Sequence, residues 1–240
     1  MVQGDALLKS ETAAGADALL NRGWLTQTPR EFAEAVMAHC RWRFVPAGQA
    51  IQHAGEQTAG IYGIARGTVS ITTALGAPDV PMVHVGHPGT WFGVVPMFTG
   101  KSLPTGVAAR SDVLIGGLAQ SQLETLLSNR GDWWRYVGLL GIMYGNLAAN
   151  LAADLMIRDS RRRCAAALLR VADCRFAVPP GIQQVEAPLS QDELAAIANL
   201  SRTSVSTILR DLEELGLITL GYRSVTLHDP ARLRSFVDDI

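Results

Sequence analysis

The stretch from Leu189 to Leu220 limits what this chain can fold into more than any other. Apolar residues Leu194, Ala198, Leu200, Val205 and Ile208 fall where two short helices crossing at a steep angle must touch. Ala195 is small where the second helix would pass close to the first. Asn199 sits between them, at a turn that needs a left-handed backbone, which Asn tolerates. Ser201 is placed to cap the second helix through its hydroxyl. Two strand-like runs follow, 217–220 and 224–228, with Gly221-Tyr222-Arg223 as the turn between them. The spacing therefore predicts a helix-turn-helix followed by a hairpin wing.

What such a unit leaves exposed points to double-stranded DNA. Ser201, Arg202, Thr203, Ser204, Thr207 and Arg210 fall on the outer face of the second helix, and Arg223 at the wing tip. Short hydroxyls and guanidinium groups suit base edges and phosphates. A plain helical hairpin with solvated polar residues fits the helix spacing equally well. The hairpin directly downstream turns the reading toward DNA.

The net charge of −1 rules out a global basic field. Residues 158–240 hold 11 basic and 11 acidic side chains, so positive charge must be concentrated locally. With 240 residues, 48% of them hydrophobic, the chain can build two modest domains. Cys40, Cys164 and Cys174 lack metal-ligand or redox spacing and read as reduced thiols. Residues 1–20 lack the basic start and apolar run of a signal peptide, and no segment has the roughly 18 uninterrupted apolar residues of a membrane span. A cytoplasmic protein without a membrane partner is expected. Residues 1–16, small and Ala-rich, are expected to be disordered or loosely ordered.

Thr28-Pro29-Arg30-Glu31 reads as a helix start, with Thr28 as cap and Glu31 in the capping-box position. From Arg41 to Leu118 the texture changes. This window carries 13 of the 23 glycines, which separate short strand candidates such as 61–65, 68–71 and 81–85. Turns this regular suggest a small β-barrel or roll. A short helix is expected over 121–127 and a long one over 132–157. Along the long helix Val137, Leu140, Tyr144, Leu147 and Leu151 repeat at three and four residues, a coiled-coil seam expected to join two copies of the chain. Gly138, Gly141, Gly145, Ala148 and Ala152 form a stripe of small residues beside it, expected to lie against the roll or the partner. Burial of the seam within one subunit is the alternative. Asp159 or Ser160 can cap the next helix, with a hinge near 157–160. The run Arg161-Arg162-Arg163 can face phosphates or simply solvent, and Pro179-Pro180-Gly181 marks a turn.

Taken together, the chain resembles the Crp/Fnr family of bacterial transcription regulators over about residues 17–235. The resemblance rests on Pro46-Ala47-Gly48-Gln49-Ala50-Ile51, Gly55-Glu56 with Gly60-Ile61-Tyr62, Ala65-Arg66-Gly67-Thr68-Val69, Gly89-Thr90-Trp91-Phe92-Gly93 and the 189–220 stretch. It implies an α+β fold: an N-terminal β-roll (double-stranded β-helix, jelly-roll-like), a long dimerisation helix and a C-terminal winged helix-turn-helix. The expected bounds are 17–131 for a cyclic-nucleotide-binding-like sensor, 132–158 for the dimerisation helix and 159–240 for the DNA-binding domain. It further implies a homodimer on a near-palindromic site, with RNA polymerase as a partner.

The departures from the family pattern are informative. In family members that bind cyclic nucleotides, a Glu takes the ribose hydroxyl and an Arg pairs with the phosphate. Here the segment reads Gly93-Val94-Val95, and the Arg-Ser or Arg-Thr pair falls at Leu103-Pro104. The purine-contacting hydroxyls fall at Ala148 and Ala149. A degenerate, apolar effector pocket is therefore expected, without cyclic AMP or cyclic GMP in the usual mode; its effector is a different small apolar molecule or none. No cofactor and no metal are expected. Cysteine clustering for an iron–sulfur sensor is absent, and Val94 and Val95 stand where a haem sensor has ligands. His84 and His87, three apart on a strand and turn, fall on opposite faces. In the reading helix Arg202 matches the family's first Arg, while Thr203 replaces a Glu and Thr207 a second Arg, so a changed half-site is implied. Two other classes are weighed. An enzyme on a small β-barrel lacks the needed His and carboxylate spacing. A dimeric scaffold or sensor for a different small apolar ligand, with DNA binding weak or lost, is the alternative that selection of random DNA would separate.

Overall fold

The computed structural model describes residues 2–57, 60–73, 82–176, 178 and 181–238, with side chains from Ser10 onward. The chain divides into two compact units, Met1–Val80 with Val85–Asn146, and Pro81–His84 with Leu147–Ile240.

The first unit opens with α1 (Val2–Leu20) and α2 (Arg30–His39), joined by a 3-10 turn at Gly23–Gln27. Strands β1 (Arg41–Val45), β2 (Ala50–Gln52), β3 (Gly60–Arg66), β4 (Val69–Thr73), β5 (Met82–Gly86) and β6 (Trp91–Phe92) follow. A one-turn helix α3 (Val95–Thr99) precedes β7 (Thr105–Ala109) and β8 (Val113–Ala119). Then come α4 (Gln120–Asn129) and the long α5 (Trp134–Leu155). One sheet has the order β1-β8-β3-β6 and the other β2-β7-β4-β5. In the first, Arg41 to Val45 run antiparallel to Gly117 to Val113. In the second, Val69 to Thr73 run antiparallel to Ala109 to Thr105. The sheets are sandwich-like, as the glycine-punctuated strands predict. Close approach demands glycine at several positions, Gly63 and Gly23 among them. A Cβ on Gly63 would stand 2.6 Å from the Trp91 ring, and one on Gly23, at φ +72°, 1.9 Å from the Gly89 carbonyl oxygen.

Aromatic packing ties the helices to this sheet. Trp24, Phe32 and Trp91 are fully buried, with Trp24 edge-on to Phe32 at 5.6 Å and to Trp91 at 5.3 Å. Phe32 meets Trp133 edge-on at 5.3 Å, and Trp24 Nε1 donates to the Tyr136 carbonyl at 2.7 Å. The start of α5 is thereby fixed against the core.

Three expectations are corrected here. Val137 and Leu140, expected at a seam between copies, are 0% and 3% exposed and belong to this unit's own core, against which Tyr144 also packs. Leu147 and Leu151 are half-buried. Val137, Leu140 and Tyr144 thus face the unit's own core, and the small-residue stripe faces outward: Gly141, Gly145, Ala148 and Ala152 are exposed and Gly138 is half-exposed. Of residues 1–16, expected to be loose, residues 2–16 lie in α1, and Met1 lies outside the described residues. A Cβ on Gly15 would lie 2.9 Å from the Trp42 ring, Leu19 is fully buried, and Glu11 pairs with Arg66 at 2.9 Å. Thr28 does not cap α2; its hydroxyl donates back to the Leu25 carbonyl, and Pro29 occupies the cap position.

The second unit contains the last turns of α5, then α6 (Ser160–Val171), β9 (Val185–Ala187), α7 (Gln191–Ala198), α8 (Arg202–Glu214), β10 (Ile218–Gly221), β11 (Ser224–Leu227) and α9 (Pro230–Asp238). Asp159 caps α6 by accepting from the amides of Arg161 and Arg162 at 2.8 and 2.9 Å. Strands β10, β11 and β9 form an antiparallel three-stranded sheet. Of the expected turn at 179–181, Pro179 and Pro180 lie outside the described residues, as do Gly76 and Pro81 of the strand region; Gly181 has φ +82°. Asp154, on the last turn of α5, is 3% exposed and is held by both Arg170 of α6 and Arg175. Arg175 also reaches Asp238 of α9 at 2.8 Å. This buried ionic cluster welds the end of α5 to the second unit.

Candidate nucleic-acid interface and effector site

The helix pair is built by local signals. Ser190 caps α7 in a full capping box: its amide donates to Glu193 Oε2 at 2.7 Å, and its Oγ accepts from the Glu193 amide at 3.3 Å. Asn199 ends α7 with φ 50° and ψ 55°, the left-handed turn expected of it. The Leu200 amide then donates to the Ala195 carbonyl at 2.9 Å. Ser201 caps α8 as expected, accepting from the Ser204 amide at 3.0 Å. Leu194, Ala195, Ile197 and Ala198 of α7 and Val205, Ile208, Leu209 and Leu212 of α8 are buried. Leu200 is half-buried.

This packing leaves Ser201, Arg202, Thr203, Ser204, Thr207 and Arg210 exposed. Ser201 and Ser204 share a hydroxyl contact of 2.8 Å, so Ser201 serves first as the structural cap. Arg202 Nε lies 3.3 Å from Asp192 Oδ1, with both side chains mostly in solvent. Such a surface pair holds weakly and gives way readily to a phosphate or base. Arg210 Nε donates to the Ser206 carbonyl at 3.3 Å. At the wing, Gly221 opposes Ser224, leaving Tyr222 and Arg223 at the tip. Arg223 has φ +52°, and its guanidinium stands 3.8 Å from Glu193 Oε1. Tyr222 is 94% exposed. Of the Arg161–Arg163 run, Arg161 pairs with Asp211, and Arg163 donates to the Ala198 and Ile157 carbonyls. Arg163 is thus a structural brace.

In the first unit, Gly93 has φ +97°, and a Cβ there would stand 2.5 Å from the Gly60 carbonyl oxygen. This tight turn delivers Val94 to the interior, 3% exposed, and starts α3, which Gly100 closes at φ +63°. Val95 is half-buried. Leu103 is buried at 3%, but Pro104, expected beside it in the pocket, is exposed; so are Ala148 and Ala149. The neighbouring residues of an extended chain cannot both face inward. His84 and His87 are half-buried, and among the described residues no group of three or more His, Cys, Asp or Glu is placed to hold a metal. Burial pushes the Cys40 and Cys164 thiols up to about 12, so neither is a reactive thiolate near neutral pH.

Comparison with known proteins agrees with both units. A cyclic nucleotide-binding domain model matches residues 42–130, and a Crp-like helix-turn-helix domain model matches residues 162–236. A cyclic AMP receptor protein from Thermus thermophilus is 30% identical over 217 residues, covering 85% of this chain and 91% of that protein. The chain belongs to the Crp/Fnr family of transcription regulators. A CRP-like cAMP-activated global transcriptional regulator from Mycobacterium tuberculosis is 27% identical over 192 residues, covering 78% of this chain and 84% of its own. Among solved structures, FixK2 from Bradyrhizobium japonicum shares the fold with a TM-score of 0.68 at 20% identity, covering 82% of this chain and 96% of its own. A Crp-family regulator from Thermus thermophilus does so with a TM-score of 0.63 at 24% identity, covering 81% and 96%. As in this family generally, the second unit is a DNA-binding domain and the first a cyclic-nucleotide-binding-type domain.

The sequence reading missed the Ser190 cap, although Ser190-Gln191-Asp192-Glu193 has the Ser-x-x-Glu spacing that announces one. It also missed Asp154, Arg170 and Arg175, whose partnership no sequence pattern marks.

Proposed function

We propose that this Crp/Fnr-family regulator acts as a homodimer on a near-palindromic DNA site, with an effector site that does not take cyclic AMP or cyclic GMP in the usual mode. The outward face of α5 carries the dimer reading. Nothing lies within 4 Å of a Cβ built on Gly138, Gly141 or Gly145. Beside them Ile142 is 60% exposed, and Met156, just past the helix end, is 81% exposed. The span Gly131–Leu155 is long and apolar, yet little of it is buried within one chain. A second copy of α5 on the glycine face covers this surface and uses the glycines for close backbone approach. The dimer is therefore assigned to the Gly138–Ala152 stripe, and Val137, Leu140, Tyr144, Leu147 and Leu151 to support of the helix within its own chain.

The working division is a sensor over 17–131, a dimerisation helix over 132–158 and a DNA-binding domain over 159–240. A two-fold dimer presents two α8 helices to major grooves about 34 Å apart. Arg202, Thr203, Ser204, Thr207 and Arg210 are assigned to the DNA face, with Ser201 as their cap and Arg223 on a flanking phosphate. Loss of Glu at Val94 and of Arg at Leu103-Pro104 supports the effector reading. A phosphate buried there without its counter-charge would cost several kcal/mol, on the order of any buried unpaired ion. Gly93 and Val95 complete the degenerate set, while Ala148 and Ala149, exposed in a single chain, are left out of it. RNA polymerase as partner, a cytoplasmic location and the absence of catalysis go with the family reading.

Selection of random DNA by the purified protein tests this. The expected result is an enriched near-palindrome bound by two chains, at a half-site altered where Thr203 and Thr207 stand. Enrichment of no sequence would leave a scaffold that has lost DNA binding.

A further inference from the structure

Three buried polar side chains stand out among the described residues: Asp154, Arg170 and Gln52. The first two answer each other's charge. Gln52 is only half answered. It ends β2, is 4% exposed, and its Nε2 donates to the Thr105 carbonyl at 3.1 Å. Its Oε1 is buried without a partner. The orientation of this amide is chemically determined. A carbonyl can only accept, so the NH2 must face Thr105, and flipping the amide would oppose two acceptors. An unpaired acceptor is therefore held in the interior, where such groups are ordinarily satisfied.

Its frame is rigid. Gln52 opposes Val107 of β7, and Val107 opposes Ile71 of β4. Just before β7, Leu103 is tied to the chain beyond Gln52 by two backbone bonds. The Gly55 amide donates to the Leu103 carbonyl at 2.9 Å, and the Leu103 amide to the Glu56 carbonyl at 2.8 Å. Leu103, Val107 and Ile71 are all buried and apolar. The Gln52 amide, bonded to the Thr105 carbonyl, thus sits next to the segment where Leu103-Pro104 replaces an Arg pair.

We propose that Gln52 Oε1 is the hydrogen-bond acceptor of this chain's effector site, and that the effector is a small, uncharged, largely apolar molecule with an N–H or O–H donor. This rests on the reading that the cyclic-nucleotide chemistry has been lost. A phosphate brings only acceptors to Gln52, and Leu103, Val107 and Ile71 offer no cation to balance an anion. A donor on an apolar ring completes the amide and buries its remaining surface against these side chains.

The test is thermal unfolding of the full chain with matched neutral compounds at millimolar concentration. Phenol is compared with anisole, indole with 1-methylindole, and benzamide with N,N-dimethylbenzamide; benzoate and cyclic AMP complete the set. We expect at least one donor compound to raise Tm by about 2–4 °C while its methylated partner, benzoate and cyclic AMP do not. Gln52→Met keeps the volume, removes the orphan oxygen together with the donor to Thr105, and should still fold while losing the shift; Gln52→Leu is the second variant. The proposal is overturned if no donor compound shifts Tm, the result expected if Oε1 merely holds a buried water. Equal shifts from the methylated partners, or shifts that survive both substitutions, overturn it too. A shift with cyclic AMP that survives Gln52→Met would sink the wider reading of a lost nucleotide site.

Discussion

Ile142 and Val137 sit on opposite sides of α5, and substitution at each decides which side meets a second copy. Ile142 is 60% exposed in a single chain, so that fraction of its side chain remains to be covered. Full burial of an Ile side chain contributes about 1.5–3 kcal/mol, so covering this fraction contributes about 1–2 kcal/mol per chain and roughly 2–4 kcal/mol across a two-fold interface. Ile142→Ala should raise the dimer Kd by roughly 30- to 1000-fold at about 1.4 kcal/mol per decade, with little effect on monomer stability. Gly145→Leu sharpens the contrast. In one chain its side chain meets open space, and replacing Gly in a helix favours the fold by roughly 0.5–1 kcal/mol, while in the dimer it blocks backbone approach. Val137→Ala, at 0% exposure, should instead destabilise the monomer by about 1–3 kcal/mol and leave the Kd of surviving dimer nearly unchanged. Sedimentation equilibrium gives the Kd, and urea unfolding at fixed protein concentration gives the stability. An unchanged dimer Kd in both Ile142→Ala and Gly145→Leu would refute the assignment. Loss of the dimer in Val137→Ala without loss of fold would return the interface to the apolar seam.

Asp154→Asn should cost about 3–5 kcal/mol, since it strands the buried guanidinium of Arg170; the double change Asp154→Leu with Arg170→Met should recover most of it, as measured by denaturant unfolding. Arg202→Ala should weaken binding to the selected DNA site by about 1–3 kcal/mol and relax one base position, whereas equal loss on random DNA would mean a phosphate contact only. Cys164 is held neutral in the fold, with its pKa moved by burial from 9.0 to about 12. The unfolded chain releases that proton first, so this contribution to stability is complete below the ordinary thiol pKa and is lost as pH rises from there toward 12. Urea titrations across that alkaline window should show the midpoint falling, and Cys164→Ala should flatten the fall.

The DNA-reading unit was legible because its determinants are local. Asn199 at a left-handed turn, Ser201 at a cap and the apolar spacing of α7 and α8 each act within a few residues. The wing followed from alternation in β10 and β11 and from the turn between them. The 93–104 segment was half legible. Val94 and Leu103 read as apolar and are buried, but adjacency did not reveal that Pro104 points outward. Gln52 was overlooked because a lone Gln in a short strand carries no pattern; only its buried, half-paired amide distinguishes it.

By itself, the sequence determined the order of elements, the recognition helix with its exposed Arg202, Thr203 and Thr207, and the missing charges at Val94 and Leu103. Each depends on spacing or on residue chemistry, which the chain carries wherever it folds. Tertiary structure alone decided which side of α5 is inside. Helical periodicity yields an apolar stripe and a small-residue stripe but assigns neither to a neighbour. Trp24 and Phe32, more than 100 residues upstream, bring the core to the α5 start and to Val137 and Leu140, so the glycine stripe is left outward. The same long-range closure joined Asp154 to Arg170 and Arg175, an ionic cluster that exists only once α5 and α6 are packed together.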